Sequence, residues 1–253
     1  MFIDKYAYIN NLKEVHPIEK TCLSLLSLIA CLVFNSLGLY IFVIISMAFL
    51  ILWSAKIPAK VFVKIILIPL PFLIISVLTI MLNITKDPEF IEYGFRVYSW
   101  FFGFTKHDIF KGVYVFFRSL SAVFSIYFLS FTTPIVDIVW ILKKAKLPSV
   151  FIELLTIVYR FIFVLLEAAF YIKTAQKCRL GYSNIKRSYI SLSQLVVNLF
   201  KKAYQNHKML YISLISRGYT GELKVLEENY RFSIKNIVFI CTYTLILLTI
   251  VII

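Results

Sequence analysis

Four stretches of this chain, residues 21–53, 61–82, 109–131 and 234–253, consist almost entirely of apolar side chains. Runs of that length suit a lipid bilayer, where the backbone must satisfy its own hydrogen bonds and helices are the simplest solution. Composition agrees: 60% hydrophobic and 16% charged residues, with a mean hydropathy of +0.86, is too apolar for a soluble domain of 253 residues. The expected fold class is an all-α integral membrane protein with about five transmembrane helices plus long cytoplasmic helices. The run 21–53 exceeds one upright span of about 20 residues, and Asn35-Ser36-Leu37-Gly38 interrupts it, so it predicts a hairpin of two short spans. Within 61–82, Pro69 and Pro71 predict a kink or break, which membrane helices tolerate when neighbours satisfy the freed carbonyls.

The chain carries a formal net charge of +14. In a soluble protein that would suggest nucleic acid, but no recognition motif accompanies it, and in a membrane protein excess Lys and Arg mark cytoplasmic loops and anionic-lipid contact. Lys56, Lys60 and Lys64 crowd the connection between the second and third spans. Lys143, Lys144 and Lys146 follow the fourth, and Lys224, Arg231 and Lys235 precede the last. The 83–108 connection spreads Lys86, Arg96 and Lys106 over a much longer stretch, with Asp87-Pro88-Glu89, Glu92 and the aromatic group Tyr98-Ser99-Trp100-Phe101-Phe102. It reads as an external loop with an interfacial portion. The positive-inside rule then puts the N-terminus and the 132–232 region in the cytoplasm of a multi-pass protein, with residue 253 outside. Three divisions follow: a membrane region 1–131 with four spans, cytoplasmic helices over 132–232 and a final span in 233–253. Lys111 and Arg118 fall in the fourth span, where a charge faces the protein interior or snorkels outward.

The N-terminal lead is not expected to be a removable signal peptide, and its mixed charge and aromatic residues suit an interfacial segment, with Pro17 opening a helix. His16 reads as a structural or surface residue, with a metal ligand as the alternative. Cys22, Cys31, Cys178 and Cys241 are scattered without a CxxC pair, so packing is their expected role.

The 132–232 region predicts helices. A short amphipathic piece runs from Thr133-Pro134 to Lys146, Pro148 opens a second helix from Ser149 to about Arg179, and a third runs from about Lys186 to Arg217. Residues 151–172 are apolar enough to pass for a span, yet Glu153, Arg160, Glu167 and Thr174 recur every seven residues on one stripe. Three ionisable groups in a bilayer are costly, so this helix is expected at the interface with its stripe towards a polar partner; an extra span is the alternative. On the third helix, Leu192, Leu195, Val196, Leu199, Ala203, Leu210 and Leu214 oppose Gln194, Asn198, Lys201, Gln205 and Lys208. Both long helices end alike, in Cys178-Arg179-Leu180-Gly181-Tyr182 and Ser216-Arg217-Gly218-Tyr219, with glycine as the stop signal. Two similarly presented arginines suggest one docking device used twice.

No GxxxxGK[ST] loop, HExxH, EF-hand or Gly-x-Ser-x-Gly elbow is present, so the chain is expected to be non-catalytic and to bind no cofactor of its own. His16, His107 and His207 lie apart and predict no metal site. Two other classes are a membrane enzyme, for which Glu153, Arg160 and Glu167 would have to converge, and a stand-alone secondary transporter, for which only the Pro69/Pro71 region speaks.

The lead DKYAYINNLKEVHPIEK, the tract Ala175–Tyr182 and the tract Ser216-Arg217-Gly218-Tyr219-Thr220-Gly221-Glu222, in order and spacing over essentially the whole chain, resemble the transmembrane T component of energy-coupling factor (ECF) transporters, cobalt and nickel branch, the CbiQ-like proteins. The resemblance implies a scaffold in the plasma membrane of a prokaryotic cell. It would join two ABC-type ATPase subunits, which bind the ATP, to a substrate-binding membrane S component of CbiM-like kind, optionally with a small auxiliary membrane subunit. Cobalt or nickel uptake is implied, with a vitamin-type substrate subunit as the alternative. The family's Ala-Arg-Gly motif maps onto Ser216-Arg217-Gly218, while the first copy has Cys178 for the alanine and Leu180 inserted before Gly181. Arg179, Gly181, Arg217 and Gly218 are thereby implied as ATPase-docking residues, supported by the Glu153, Arg160, Glu167 stripe.

Overall fold

The computed structural model describes residues 2–85, 93–97, 100–219 and 232–252. The chain forms two compact units, Met1–Pro134 with Asn229–Ile253, and Ile135–Glu228. The first contains α1 (Phe2–Ile9), α2 (Pro17–Val33), α3 (Leu37–Phe49) continued by a π-helical turn Leu50–Ser54, α4 (Ala59–Ile66), α5 (Leu70–Met81), α6 (Lys106–Thr132) and α10 (Ile234–Ile252). The second contains α7 (Ile135–Lys144), α8 (Ser149–Cys178) and α9 (Ile185–Ser216). The protein is all-α apart from three short strands, β1 (Asn83–Thr85), β2 (Tyr93–Val97) and β3 (Trp100–Phe104). They pair antiparallel in the order β1-β3-β2, with Gly94 opposite Gly103. The sequence reading made 83–108 a loop; its aromatic residues instead favour extended pairing, and α6 begins at Lys106. Lys86, Asp87-Pro88-Glu89, Glu92 and Tyr98-Ser99 lie outside the described residues, as do Lys224, Arg231 and Thr220-Gly221-Glu222.

Helix α6 is the axis of the first unit. Its partner α2 runs antiparallel to it: Lys20 bonds to the Thr132 carbonyl, Ser24 to that of Ser125 and Arg118 to that of Leu32. Small polar residues line this contact, as they do where membrane helices approach closely. Ser24, Ser27, Ser121 and Ser125 are buried, and each hydroxyl donates to a backbone carbonyl or meets another hydroxyl. Tyr243 of α10 reaches Ser27 on α2 and Ser46 on α3, both at 3.2 Å, so three helices share one buried hydroxyl cluster. The aliphatic and aromatic core, including Leu39, Tyr40, Val43, Met47, Phe124, Phe128 and Phe131, surrounds it. Ile29, Phe72, Ile75 and Leu245 are exposed, as suits positions facing lipid.

The proline break has a visible remedy. The helix is interrupted at 67–69 between α4 and α5. Pro69 has no N–H for the carbonyl four residues back, Ile65, which instead accepts from the Ile68 N–H at 3.2 Å and from the hydroxyl of Tyr127 on α6 at 3.3 Å.

At the opposite end of α6 from the sheet, two adjacent residues of α2 tie three helices together. Lys20, buried, donates from Nζ to the carbonyls of Thr132 at 3.0 Å and Leu12 at 3.1 Å, satisfying an orphan acceptor at the C-terminus of α6. Glu19, equally buried, accepts from the Ser233 N–H at 3.1 Å and from Asn236 Nδ2 at 2.7 Å, at the N-terminus of α10. The cation meets the negative end of one helix dipole and the carboxylate the positive end of another. Asn10 Nδ2 adds a bond to the Phe131 carbonyl at 3.0 Å. His16 is structural: its Nδ1 accepts from Ile18 N–H at the start of α2, and its ring stacks on Phe232 at 3.7 Å.

Leu37–Ser54, Ala59–Met81, Lys106–Thr132, Ser149–Cys178 and Ile234–Val251 are long and apolar enough to cross a membrane. This set differs from the sequence reading in two members. It includes α8, which that reading laid at the interface, and omits α2, which it counted as a span. Helix α2 has 17 residues, about 26 Å, the lower end of what spans, and its polar residues are turned onto α6.

Replacing Lys20 with Met removes the charged donor shared by the Thr132 and Leu12 carbonyls and is expected to destabilise the first unit by about 1–3 kcal/mol. A thermal unfolding series in detergent checks this, with Cys22→Ser on the exposed face of α2 as the unaffected control.

Candidate functional site

Helices α8 and α9 form an antiparallel hairpin. Pro148 precedes α8, and Asn184 caps α9 by accepting from the Arg187 N–H at 2.8 Å. The face of α9 turned inward comprises Ser191, Leu195, Leu199, Ala203, Leu210 and Leu214, whereas Leu192 and Val196, assigned to that face from sequence, are exposed. No residue of α8 is fully buried, so long apolar surfaces on this unit remain open.

The two arginine-bearing ends are built the same way. Arg179 and Arg217 are the C-cap residues of α8 and α9, with nearly equal backbone angles of φ −92°, ψ 16° and φ −97°, ψ 13°. In both, the next residue is left-handed: Leu180 at φ 56° and Gly218 at φ 72°. Its N–H bonds three residues back, Leu180 to Lys177 at 3.0 Å and Gly218 to Ile215 at 2.9 Å. The residue after that bonds five back, Gly181 to Gln176 at 2.9 Å and Tyr219 to Leu214 at 3.0 Å. Both ends are thus complete Schellman motifs. The inserted Leu180 does not displace Arg179; it occupies the left-handed position that Gly218 fills in the second copy, at a steric cost of about 1–2 kcal/mol.

Gly181 therefore serves close approach rather than left-handed geometry. A Cβ there would lie 2.6 Å from Ser191 Oγ and 2.9 Å from the Gln176 carbonyl oxygen. Ser191 Oγ donates to the Gly181 carbonyl, Gln176 Nε2 to the Ser191 carbonyl and Tyr182 to Gln176 Oε1, all at 2.8 Å, locking the turn beside Arg179. At the other end Tyr219 donates to Glu153 Oε2 at 2.6 Å, joining the tail of α9 to the start of α8. That bond, then burial, then the nearby carboxylate charge raise the Tyr219 pKa above its usual value, so the phenol remains a donor at neutral pH. Both arginine side chains are exposed. The length of α9 separates its two ends by roughly 48 Å.

The Glu153, Arg160, Glu167 stripe is not brought to one point. Glu153 is engaged by Tyr219, Arg160 is exposed, and Glu167 accepts from Tyr171 at 3.3 Å beside a groove of about 580 Å³ that Asn198, Lys201 and Gln205 also line. Among the described residues no three His, Cys, Asp or Glu side chains come together, and His107 lies in the first turn of α6 rather than in a loop. The Tyr219 and Gln176 locks have no signature in spacing, because their partners are brought close only by the hairpin.

Hydrogen exchange at the Gly218 and Tyr219 amides tests the cap geometry. Gly218→Val should weaken protection at both by about 1 kcal/mol or more, whereas Leu180→Gly should leave the α8 end unchanged or more protected.

The CbiQ family, described as cobalt transport protein, matches residues 10–227. The chain is 28% identical to the cobalt transport protein CbiQ of Salmonella typhimurium, over 87% of this chain and 97% of that protein. It is 33% identical to a putative fused cobalt transport protein CbiMQ of Methanocorpusculum labreanum, over 72% of this chain and 30% of that one. A transmembrane protein EcfT of an energy-coupling factor transporter from Lactococcus lactis is 30% identical over 48% of this chain and 50% of its own. With the five apolar helices and the paired hairpin ends already described, the chain belongs to the CbiQ cobalt transport protein family.

Proposed function

We propose that this chain is the energy-coupling transmembrane subunit of an ECF-type importer, in which the two ends of the α8–α9 hairpin each engage one cytoplasmic ABC-type ATPase. The observation that carries the reading is the equivalence of Arg179 and Arg217: the same cap position, the same backbone, the same left-handed residue beyond. A pair of identical ATPases offers two equivalent acceptors. A guanidinium binds a carboxylate bidentately, and truncating one partner of a buried interfacial pair typically costs about 2–5 kcal/mol. An arginine that merely complements a helix dipole contributes about 0.3–1 kcal/mol.

The Schellman bonds and tyrosine locks give these ends a fixed geometry, so closure of the ATPases pulls on a stiff hairpin. ATP is held by the ATPases, and this chain contributes no phosphate-cradling loop to the hydrolysis. Membership of the CbiQ family supports cobalt or nickel as the cargo, and the relative named as a fused CbiMQ supports a CbiM-like substrate-binding subunit as the membrane partner. The open apolar surface of α8 and α9 is available to that subunit and to lipid. A vitamin-type substrate subunit would use the same two docking ends, so uptake assays with Co²⁺ and Ni²⁺ distinguish the cargo.

The hairpin favours an interfacial α8. If α8 crossed the bilayer, α9 packed along it would be drawn into the bilayer too, yet α9 carries Lys186, Arg187, Lys201, Lys202 and Lys208 and is not among the helices apolar enough for that. In the proposed orientation, exposed Cys178 reacts with a membrane-impermeant thiol reagent applied from the cytoplasmic side. Labelling solely from outside contradicts it.

Arg217→Glu and Arg179→Glu are each expected to weaken association with one ATPase by at least about thirtyfold, and the double variant to abolish uptake. Lysine should restore part of the loss, because it keeps the charge without the planar fork. Normal ATP-driven uptake by the double glutamate variant would reduce both residues to ordinary helix caps.

A further inference from the structure

At the end of the first unit opposite the Glu19–Lys20 clamp lies a cavity of about 340 Å³ whose lining includes His107, Lys111, Tyr114 and Arg118 of α6, with Asn35 and Tyr40 from the α2–α3 connection. We infer that it is a binding site for a phosphate-type anion, with the phosphate of an anionic lipid headgroup as the expected occupant. The site belongs to the first unit and does not depend on ATPase docking.

Its depth follows from helix register. Arg118 donates to the Leu32 carbonyl, in the last turn of α2, so it lies level with the end of that helix. Helix α6 continues beyond that level by the twelve residues 106–117, about 18 Å. The cavity therefore runs from the level of Arg118 out to His107 in the first turn of α6, where the candidate span Lys106–Thr132 begins and a headgroup can reach it, and its size is within the range of small-molecule sites.

The chemistry is one-sided. Three side chains able to carry positive charge converge on the cavity, and among the described residues no carboxylate lines it. Among the described residues Lys111 and His107 make no hydrogen bond or ion pair. The guanidinium of Arg118 has five N–H donors and leaves several beyond the bond to Leu32. The Tyr40 hydroxyl lies 3.3 Å from Asn35 Oδ1, which holds the amide oxygen towards Tyr40 and leaves the amide NH₂ as a donor. Tyr114 adds a hydroxyl at the rim. Basic pockets of this composition between membrane helices suit lipid phosphates.

The test uses the full-length chain purified in detergent and analysed by native mass spectrometry, titrated separately with phosphatidylglycerol, phosphatidylcholine and inorganic phosphate. Lys111→Glu and His107→Ala change exposed positions on α6, and unfolding temperature verifies that both fold. Arg118 is left intact because it caps α2. The expected result is saturable phosphatidylglycerol binding, preferred over phosphatidylcholine and weakened about tenfold or more by Lys111→Glu. Saturable binding of inorganic phosphate that is lost in the same variant, without a lipid preference, supports the anion site and assigns it to a soluble ligand. Equal phosphatidylglycerol binding by wild type and both variants overturns the proposal. So does an absence of both lipid preference and phosphate binding.

Discussion

Glu19 and Lys20 are neighbours of opposite charge, both buried, and each holds the end of a different helix. A buried charge is tolerated only when hydrogen-bonded groups replace its water, and here backbone groups orphaned at helix ends supply them. Carbonyls at the C-terminus of α6 need a donor and the N–H groups opening α10 need an acceptor, so one dipeptide on α2 answers both. The arrangement fixes which ends of α2, α6 and α10 lie together, and the hydroxyl cluster of Ser27, Ser46 and Tyr243 sets their register further along. Hydrophobic burial alone would hold apolar helices in lipid only weakly, since lipid tails are as apolar as leucine. Polar contacts at defined heights give this unit its specific packing.

The second unit solves a different problem. It buries little of its apolar surface within itself, and its order comes from hydrogen bonds at the two ends of the hairpin: Gln176, Tyr182 and Ser191 at one, Glu153 and Tyr219 at the other. Between these locks the helices are left with exposed Phe151, Leu154, Val158, Phe170, Phe200 and Tyr204. Such a unit is fixed at the two ends where the proposed couplings would attach and apolar between them. Leu180 in a left-handed conformation, where glycine would be easier, shows that the cap geometry holds against local steric preference.

The apolar runs, the proline break and the start of α8 were legible because hydropathy and proline act locally, and the strongest of these signals survived into the structure. The repeated Arg-Gly-Tyr endings were legible as helix stops, but their true equivalence was hidden by Leu180, since the left-handed residue is identified by its backbone and not by its name. The Glu19–Lys20 clamp was invisible: its partners Thr132 and Ser233 lie more than a hundred residues away, and a charged dipeptide in an interfacial lead looks like a solvated one. Arg118 is expected to face the protein interior or snorkel outward, and its partner, the Leu32 carbonyl at the end of α2, is revealed only by the pairing of the two helices. The sheet over 83–104 was missed because interfacial aromatics and strand formers are the same residue types.

Site-specific photocrosslinking tests the two-ended coupling most directly. A photoreactive residue replaces exposed Ser183 beside the Arg179 cap, exposed Ser216 beside the Arg217 cap, or Lys201 midway along α9, in the assembled transporter. Capture of an ATPase from both 183 and 216, with a doubly labelled chain holding two ATPase subunits and none captured from 201, is the predicted result. Capture from one end alone, or equally along the whole of α9, would contradict coupling through two equivalent arginine caps.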